Sequence, residues 1–288
     1  MSKANFTTPP PAVTDVLITF PFPGILLVTL NRPKQLNSIP QDLHSRLHAL
    51  WSWYDAEPSL RCAVLTGAGR AFCAGADLRD WNQRHSATPS GSGSSGASGA
   101  AAPPTAHAVG GFCGLSNRRG RKPIVAAVNG VCMGGGMEAV LNTDLVVAAA
   151  DAKFALPEVR IGVVPIQGAL PRLVRSVGMQ RASEMALLGR TYTADQLLRW
   201  GVVNRVVPRE EVLETALRWA LELAAHSPDS VIVTKEGLLG GWDAESPTAS
   251  TDRLLHGLYK RVDGGDNMRE GILSFVEKRK PVWKDSKL

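Results

Sequence analysis

Cysteine is scarce in this sequence. The four residues, Cys62, Cys73, Cys113 and Cys132, include no C-x-x-C pair. That argues against a disulfide framework or a thiolate zinc site, no metal is expected, and the cysteines read as reduced packing residues. No apolar run approaches the roughly 20 residues of a membrane-spanning helix, so the expectation is a soluble chain with no membrane partner. Aromatic residues make up only 6%, and the net charge is a modest +6. Trp81 and Trp283 stand near basic residues without forming an aromatic-basic stripe, so no nucleic-acid partner is expected. The sequence has neither the G-x-G-x-x-G dinucleotide pattern nor a phosphate loop with Gly-Lys-Ser/Thr. Residues 1–11 carry one lysine, three consecutive prolines and no apolar h-region. They match neither a secretory signal nor an arginine-rich presequence and read as a loose arm.

Apolar content, by contrast, is ample. Hydrophobic residues make up 44% of 288 positions, enough to bury a large core. Ile25–Leu30 (ILLVTL), between Pro23-Gly24 and Asn31-Arg32-Pro33, predicts a buried strand, with residues 16–20 as its hairpin partner. Leu43, Leu47, Leu50, Trp51 and Tyr54 then fall at helical spacing after Pro40. Strands recur at 62–66, 124–128 and 145–149 beside helical text, which gives repeated strand-strand-helix or strand-helix units. Every residue from Ser86 to Ala106 is Ser, Ala, Thr, Pro or Gly. With no large side chain to bury, 86–106 reads as a flexible insertion in a surface loop. Helices are predicted over 180–188, 194–200, 209–225, 228–239, 247–261 and 267–279. Thr193 with Gln196 suggests a capping box, and Gly201 a C-terminal stop. The expected division is an α/β core over 12–200 and a helical region over 201–288. That tail has more apolar surface than a few helices bury among themselves, which points to another subunit.

Three segments carry candidate chemistry. The first, Ala71-Phe72-Cys73-Ala74-Gly75-Ala76-Asp77-Leu78, is packed with small residues. It suits either a tight strand-to-helix turn or close approach of main-chain N–H groups to a ligand. The second, Asn129-Gly130-Val131-Cys132-Met133-Gly134-Gly135-Gly136-Met137-Glu138, sets three glycines between a strand and a helix start. Unpaired N–H groups point outward there and favour negative charge, so such a turn can stabilise an oxyanion. Glu138 falls on the first helical turn, where the dipole alone also favours an acid. The third runs from Phe154 to Pro165 and holds Glu158 in an apolar, Pro-bounded loop. Partial desolvation raises a carboxyl pKa toward acid-base range; a salt bridge to Arg160 or Arg172 is the alternative.

Together these segments resemble the enoyl-CoA hydratase/isomerase, or crotonase, superfamily. The resemblance runs from about Ile25 to Lys280 and extends to Leu30-Asn31-Arg32-Pro33, Lys122 through Gly130, Leu188-Gly189-Arg190, Gly201-Val202-Val203 and Arg269-Glu270-Gly271. It implies an α/β fold, a crotonase-like spiral of repeated β-β-α units with a helical C-terminal trimerisation region, assembled as a homotrimer or homohexamer. It also implies a thioester oxygen gripped by two main-chain amides, carried over to Ala74 and Gly135. Two glutamates hold the reacting water, Glu138 and Glu158. Hydration puts oxygen on C3 and a proton on C2 of a 2-enoyl thioester, and two carboxyls of different pKa divide that work. Both glutamates favour hydration over double-bond isomerisation, the alternative reaction. A non-catalytic member that binds acyl-CoA or RNA is the other alternative. Ala76, Asp77, Leu78 and Gly134 are expected to line the substrate site. Arg79 and Lys278 are candidates for the coenzyme A phosphates, and Tyr259 for the adenine. Coenzyme A is part of the substrate, so no separate cofactor is implied. The family text after Pro165 is replaced here by Ile166-Gln167-Gly168-Ala169; Gln167 either hydrogen-bonds a short, branched or polar acyl group or points outward. The pathways this admits are fatty-acid β-oxidation and fungal siderophore or related biosynthesis through methylglutaconyl- or anhydromevalonyl-CoA.

The last three residues, Ser286, Lys287 and Leu288, spell a receptor-read address for the peroxisome. Localisation in the peroxisome and an import receptor as partner are therefore expected. The charged stretch before the tripeptide predicts an exposed tail.

Overall fold

The computed structural model describes residues 6–87 and 109–288, so most of the predicted insertion, from residue 88 to 106, lies outside the described residues. The chain opens with β1 (Val16–Thr19) and β2 (Ile25–Leu30), an antiparallel hairpin with Val16 opposite Leu30. After α1 (Gln41–Ala56), three units follow one plan. The first is β3 (Cys62–Gly67), β4 (Ala71–Cys73) and α2 (Leu78–Ala87). The second is β5 (Ile124–Val128), β6 (Val131–Met133) and α3 (Gly135–Val140). The third is β7 (Leu145–Ala149), β8 (Lys153–Ala155), a 3-10 turn at Glu158–Ile161 and α4 (Ala169–Val177).

In each unit the first strand joins one sheet and the second joins another. The larger sheet adds β3, β5 and β7 in parallel beside β2; the smaller runs β4, β6, β8. Successive units therefore stack as turns of a spiral, the expected β-β-α architecture. Every residue of β3 and β5 is buried, as befits parallel strands covered on both faces.

The remainder is α5 (Met179–Leu188), β9 (Tyr192–Thr193), α6 (Ala194–Arg199), β10 (Arg205–Val207), α7 (Val212–Ala224), α8 (Pro228–Trp242), α9 (Pro247–His256) and α10 (Asp266–Val276). The Thr193–Gln196 capping box is formed, and the Gly201 N–H bonds back to Leu198 O after α6. The region after residue 201 is not purely helical. β10 extends the larger sheet beside β7, and α7 packs across β3, β5 and β7. Three residues are too few to show a strand period in the sequence, which is why β10 was not predicted.

α1 fixes what lies beneath the site. The Trp51 indole donates to Cys113 O at 3.0 Å, and the Tyr54 hydroxyl to Pro123 O at 2.7 Å, so both buried rings satisfy their polar ends. Two asparagines brace the β3–β4 turn. The Asn37 side chain donates to Ala68 O and Ala71 O, and that of Asn129 to Gly67 O and Gly69 O. The segment that leaves β4 toward the site is therefore aimed by side chains from two other elements. Asn37 does not stand out as functional in the sequence, because it binds main chain at long range.

Candidate active site

The three segments singled out in the sequence meet around one cavity of about 440 Å³. Its wall includes Ala74, Gly75, Ala76, Asp77 and Leu78 from the first, Gly134, Gly135 and Glu138 from the second, and Glu158 and Gln167 beyond. Gly75 explains the closeness. Its φ is +96°, and a Cβ there would lie 3.3 Å from Gly135 N and 3.0 Å from Met133 O. Gly135 is equally confined, since its Cβ would stand 2.2 Å from the Phe112 ring. Main chain thus passes main chain where side chains have no room.

The free amides differ from expectation in one respect. The Ala74 N–H is committed to Leu36 O at 3.0 Å, so it is not available to a ligand. Two residues on, Ala76 forms a parallel bridge with Ile39. In that bridge Ile39 N donates to Gly75 O and Asp77 N to Ile39 O, which leaves the Ala76 N–H directed away from Ile39. Among the described residues no acceptor pairs with the Ala76 N–H, and none with the Gly135 N–H on the first turn of α3. Ala76 and Gly135 are therefore unpaired donors that face each other across the cavity wall's two small-residue segments.

Glu138 is 3% exposed. Its Oε2 accepts the Ala169 N–H at 3.2 Å, and its carboxylate also accepts the Gln167 N–H. Burial, reinforced by the nearby Glu158 charge, still pushes its pKa up to about 7. Glu158, half-buried at the start of its 3-10 turn, is also raised by burial. Its Oε1 lies 2.9 Å from where a Cβ on Gly134 would be, and its Oε2 is enclosed without a partner. Neither Arg160 nor Arg172 pairs with it. Arg172 instead bonds Asn142 Oδ1, Asn117 Oδ1 and Gly168 O. The salt-bridge alternative for Glu158 is therefore absent among the described residues.

Asp77 lines the cavity but is engaged elsewhere. It pairs with Arg32 at 2.9 Å and accepts the N–H groups of Arg79 and Asp80, which caps α2. Burial raises its carboxyl, but the Arg32 hydrogen bond and these amides outweigh it and hold the group below its ordinary range. Asp77 is thus a brace for the wall. Arg79, Tyr259 and Lys278 do not line the cavity. Lys278 is exposed after α10, and Tyr259 is 36% exposed after α9. The wall also holds His44, Trp81 and Phe112, which sequence reasoning did not assign to it. Phe112 follows the low-complexity stretch with no periodic signal to announce it. It stacks edge-on against His44 at 4.8 Å, and His44 Nδ1 accepts the Cys113 N–H.

The C-terminal tripeptide is not a loose exposed tail. The Ser286 hydroxyl bonds Asp229 Oδ1, Arg261 donates to Lys287 O, and Arg121 donates to the main-chain oxygen of Leu288 at 2.6 Å. Ser286 and Leu288 are half-buried. The charges expected to keep the tail in solvent are on the tail itself, whereas the arginines that hold it lie at 121 and 261.

Comparison with known proteins agrees with this geometry. The profile of the enoyl-CoA hydratase/isomerase family matches residues 23–100 and 115–286. A protein of Beauveria bassiana named mevalonyl-coenzyme A hydratase SIDH is 62% identical over 285 residues, covering 99% of this chain and all of that one. One of the same name from Aspergillus fumigatus is 47% identical over 96% of this chain and 98% of its own. The crystal structure of an enoyl-CoA hydratase from Mycobacterium tuberculosis superposes with a TM-score of 0.82 at 30% identity, covering 94% of this chain and 99% of that one. With its spiral of β-β-α units, its paired acids and these relatives, the chain belongs to the enoyl-CoA hydratase/isomerase family.

Proposed function

We propose that this hydratase adds water reversibly to a short, branched 2-enoyl-CoA, using the amides of Ala76 and Gly135 and the carboxyls of Glu138 and Glu158. The observation that carries the reading is the convergence of two unpaired amides and two carboxyls of raised pKa on one cavity. As water adds to C3, negative charge moves onto the thioester oxygen. Two fixed N–H donors meet it there, each worth very roughly 3–4 kcal/mol in the transition state. Glu138 orients and deprotonates the water, because amides already support its ionised form. Glu158, enclosed and without a donor to its Oε2, carries the proton delivered to C2. Dehydration of a 3-hydroxyacyl-CoA runs the same steps backward. Coenzyme A is part of the substrate throughout.

The acyl group is inferred from the relatives named as mevalonyl-coenzyme A hydratases and from Gln167 on the wall. Anhydromevalonyl-CoA in siderophore biosynthesis is the substrate and pathway that fit. Association into trimers or pairs of trimers is supported by apolar residues left in solvent on α10, where Phe275 is 86% exposed. Arg79, Tyr259 and Lys278 would then meet coenzyme A across subunits. The C-terminal tripeptide supports import into the peroxisome through its receptor.

Loss of the conjugated thioester absorbance tests the chemistry. Glu138→Gln and Glu158→Gln should each cut hydration by about 10²–10⁴-fold; activity surviving both would refute the assignment. For localisation, a fluorescent fusion lacking Leu288 should stay in the cytosol, and unchanged punctate import would refute the address.

A further inference from the structure

Arg32 does not line the cavity, yet its side chain grips the main chain that aims one of the two free amides. Residues 36–39 and 74–77 run side by side. Ala74 N–H donates to Leu36 O, Ile39 N–H to Gly75 O and Asp77 N–H to Ile39 O, at 2.9–3.0 Å. The Ile39–Ala76 bridge in this run lies outside every strand, so no longer ladder fixes its register. The Arg32 guanidinium spans both chains of the bridge. Its Nη1 donates to Ser38 O at 2.6 Å, one residue before Ile39. Its Nη2 donates to Asp77 Oδ2 at 2.9 Å, one residue after Ala76. Nε faces Asp15 at 3.6 Å. The Arg32 main chain is itself closed onto Asn37, with its N–H on Asn37 Oδ1 and its carbonyl accepting the Asn37 N–H. The Arg32 and Asp77 side chains are both mostly buried, so solvent and salt screen this pair less than a surface one.

We propose that Arg32 is a positioning residue for hydration, which holds the Ala76 N–H on the thioester oxygen by clamping the two chains of the Ile39–Ala76 bridge. This rests on the hydratase reading and on Ala76 as a donor. The residue before the donor is Gly75, at φ +96°, so its backbone has no side chain to restrict it. The residue after it is Asp77, whose carboxylate has three partners. Two are the N–H groups of Arg79 and Asp80, which tie Asp77 to its own helix α2. The third, the guanidinium, is the one that also reaches the chain across the bridge. A planar fork with donors in fixed geometry can hold both acceptors at once, whereas a lysine ammonium is a point charge on a flexible stem. The amide matters most when the thioester oxygen carries charge, so the clamp acts on the transition state more than on the bound substrate.

Two thioesters that cannot be hydrated provide the test. Acetoacetyl-CoA forms an enolate whose charge rests partly on the thioester oxygen, whereas butanoyl-CoA stays uncharged. Their affinities are measured for the native enzyme, Arg32→Ala and Arg32→Lys, beside kcat for hydration. In both variants enolate affinity and kcat should each fall about 100-fold, the cost of a donor displaced by about 1 Å. Butanoyl-CoA should bind within about threefold of its native affinity, because an uncharged oxygen gains little from the donor. Arg32→Lys keeps the charge beside Asp77 and Asp15, so it tests the fork even where Arg32→Ala does not fold. Equal weakening of both thioesters would make Arg32 a support of the whole cavity and overturn the proposal. So would Arg32→Lys with native enolate affinity and native kcat. Either result, with hydration by the native enzyme intact, refutes the role of Arg32 alone; a native enzyme that hydrates no enoyl-CoA refutes the hydratase reading itself.

Discussion

Glu138 should make the folded protein less stable as pH rises, and removing its charge should reverse that. Burial moves its pKa from the ordinary 4.5 to about 7, so between these values the folded state holds a proton that the unfolded state has lost. Where the folded state binds more protons, stability falls with rising pH. The loss begins near pH 4.5 and is complete above about pH 7. Each pKa unit corresponds to about 1.4 kcal/mol, so the full displacement amounts to about 3 kcal/mol. Glu138→Gln keeps the shape and both amide donors but has no charge to desolvate. Its melting temperature should match that of the native protein near pH 4.5 and exceed it by about 6 °C at pH 8. Thermal unfolding of the two proteins at several pH values measures this. A gap that is absent at pH 8, or the same at pH 4.5, would refute a buried acid held near neutrality. Activity should move the opposite way, since the stabilised variant lacks the base.

Further outcomes follow from other contacts. Gly135→Ala sets a methyl 2.2 Å from the Phe112 ring, so it should destabilise the fold by about 1–3 kcal/mol and abolish hydration; a normal melting temperature with normal turnover would show that the amides need no such packing. Asn37→Ala leaves Ala71 O without its Asn37 donor and should cost about 1–3 kcal/mol in urea unfolding, with kcat falling as the segment beyond β4 loses its aim. Arg121→Ala combined with Arg261→Ala should speed carboxypeptidase removal of Leu288 severalfold, whereas an unchanged rate would mean that the tail is not held.

Strands β2, β3, β5 and β7 could be read directly from the sequence, because strands covered on both faces are continuous apolar runs. β4, β6, β8 and β10 were not, since each has only three residues, too few to display alternation. The site was legible where side chains carry it. Glu138 and Glu158 stand out as acids in apolar text. The sequence points to the Ala74 amide, two residues before the unpaired Ala76 N–H, because main-chain donors leave no mark on residue identity. Only the bridge between Ile39 and Ala76 decides which N–H is free. Arg32 and Asn37 carry no sequence signal because the partners that tie them to the site segment lie 31 to 45 residues away.

The docked C-terminus gives the chain an internal competitor for its own last residues. Three contacts at the protein surface make a weak closure, of the kind that opens locally without unfolding the body. Any binder that must surround Leu288 then engages only the detached fraction, and its apparent affinity drops in proportion. A chain that has not yet folded has no such restraint, so its terminus would be more readily grasped before the domain closes than after.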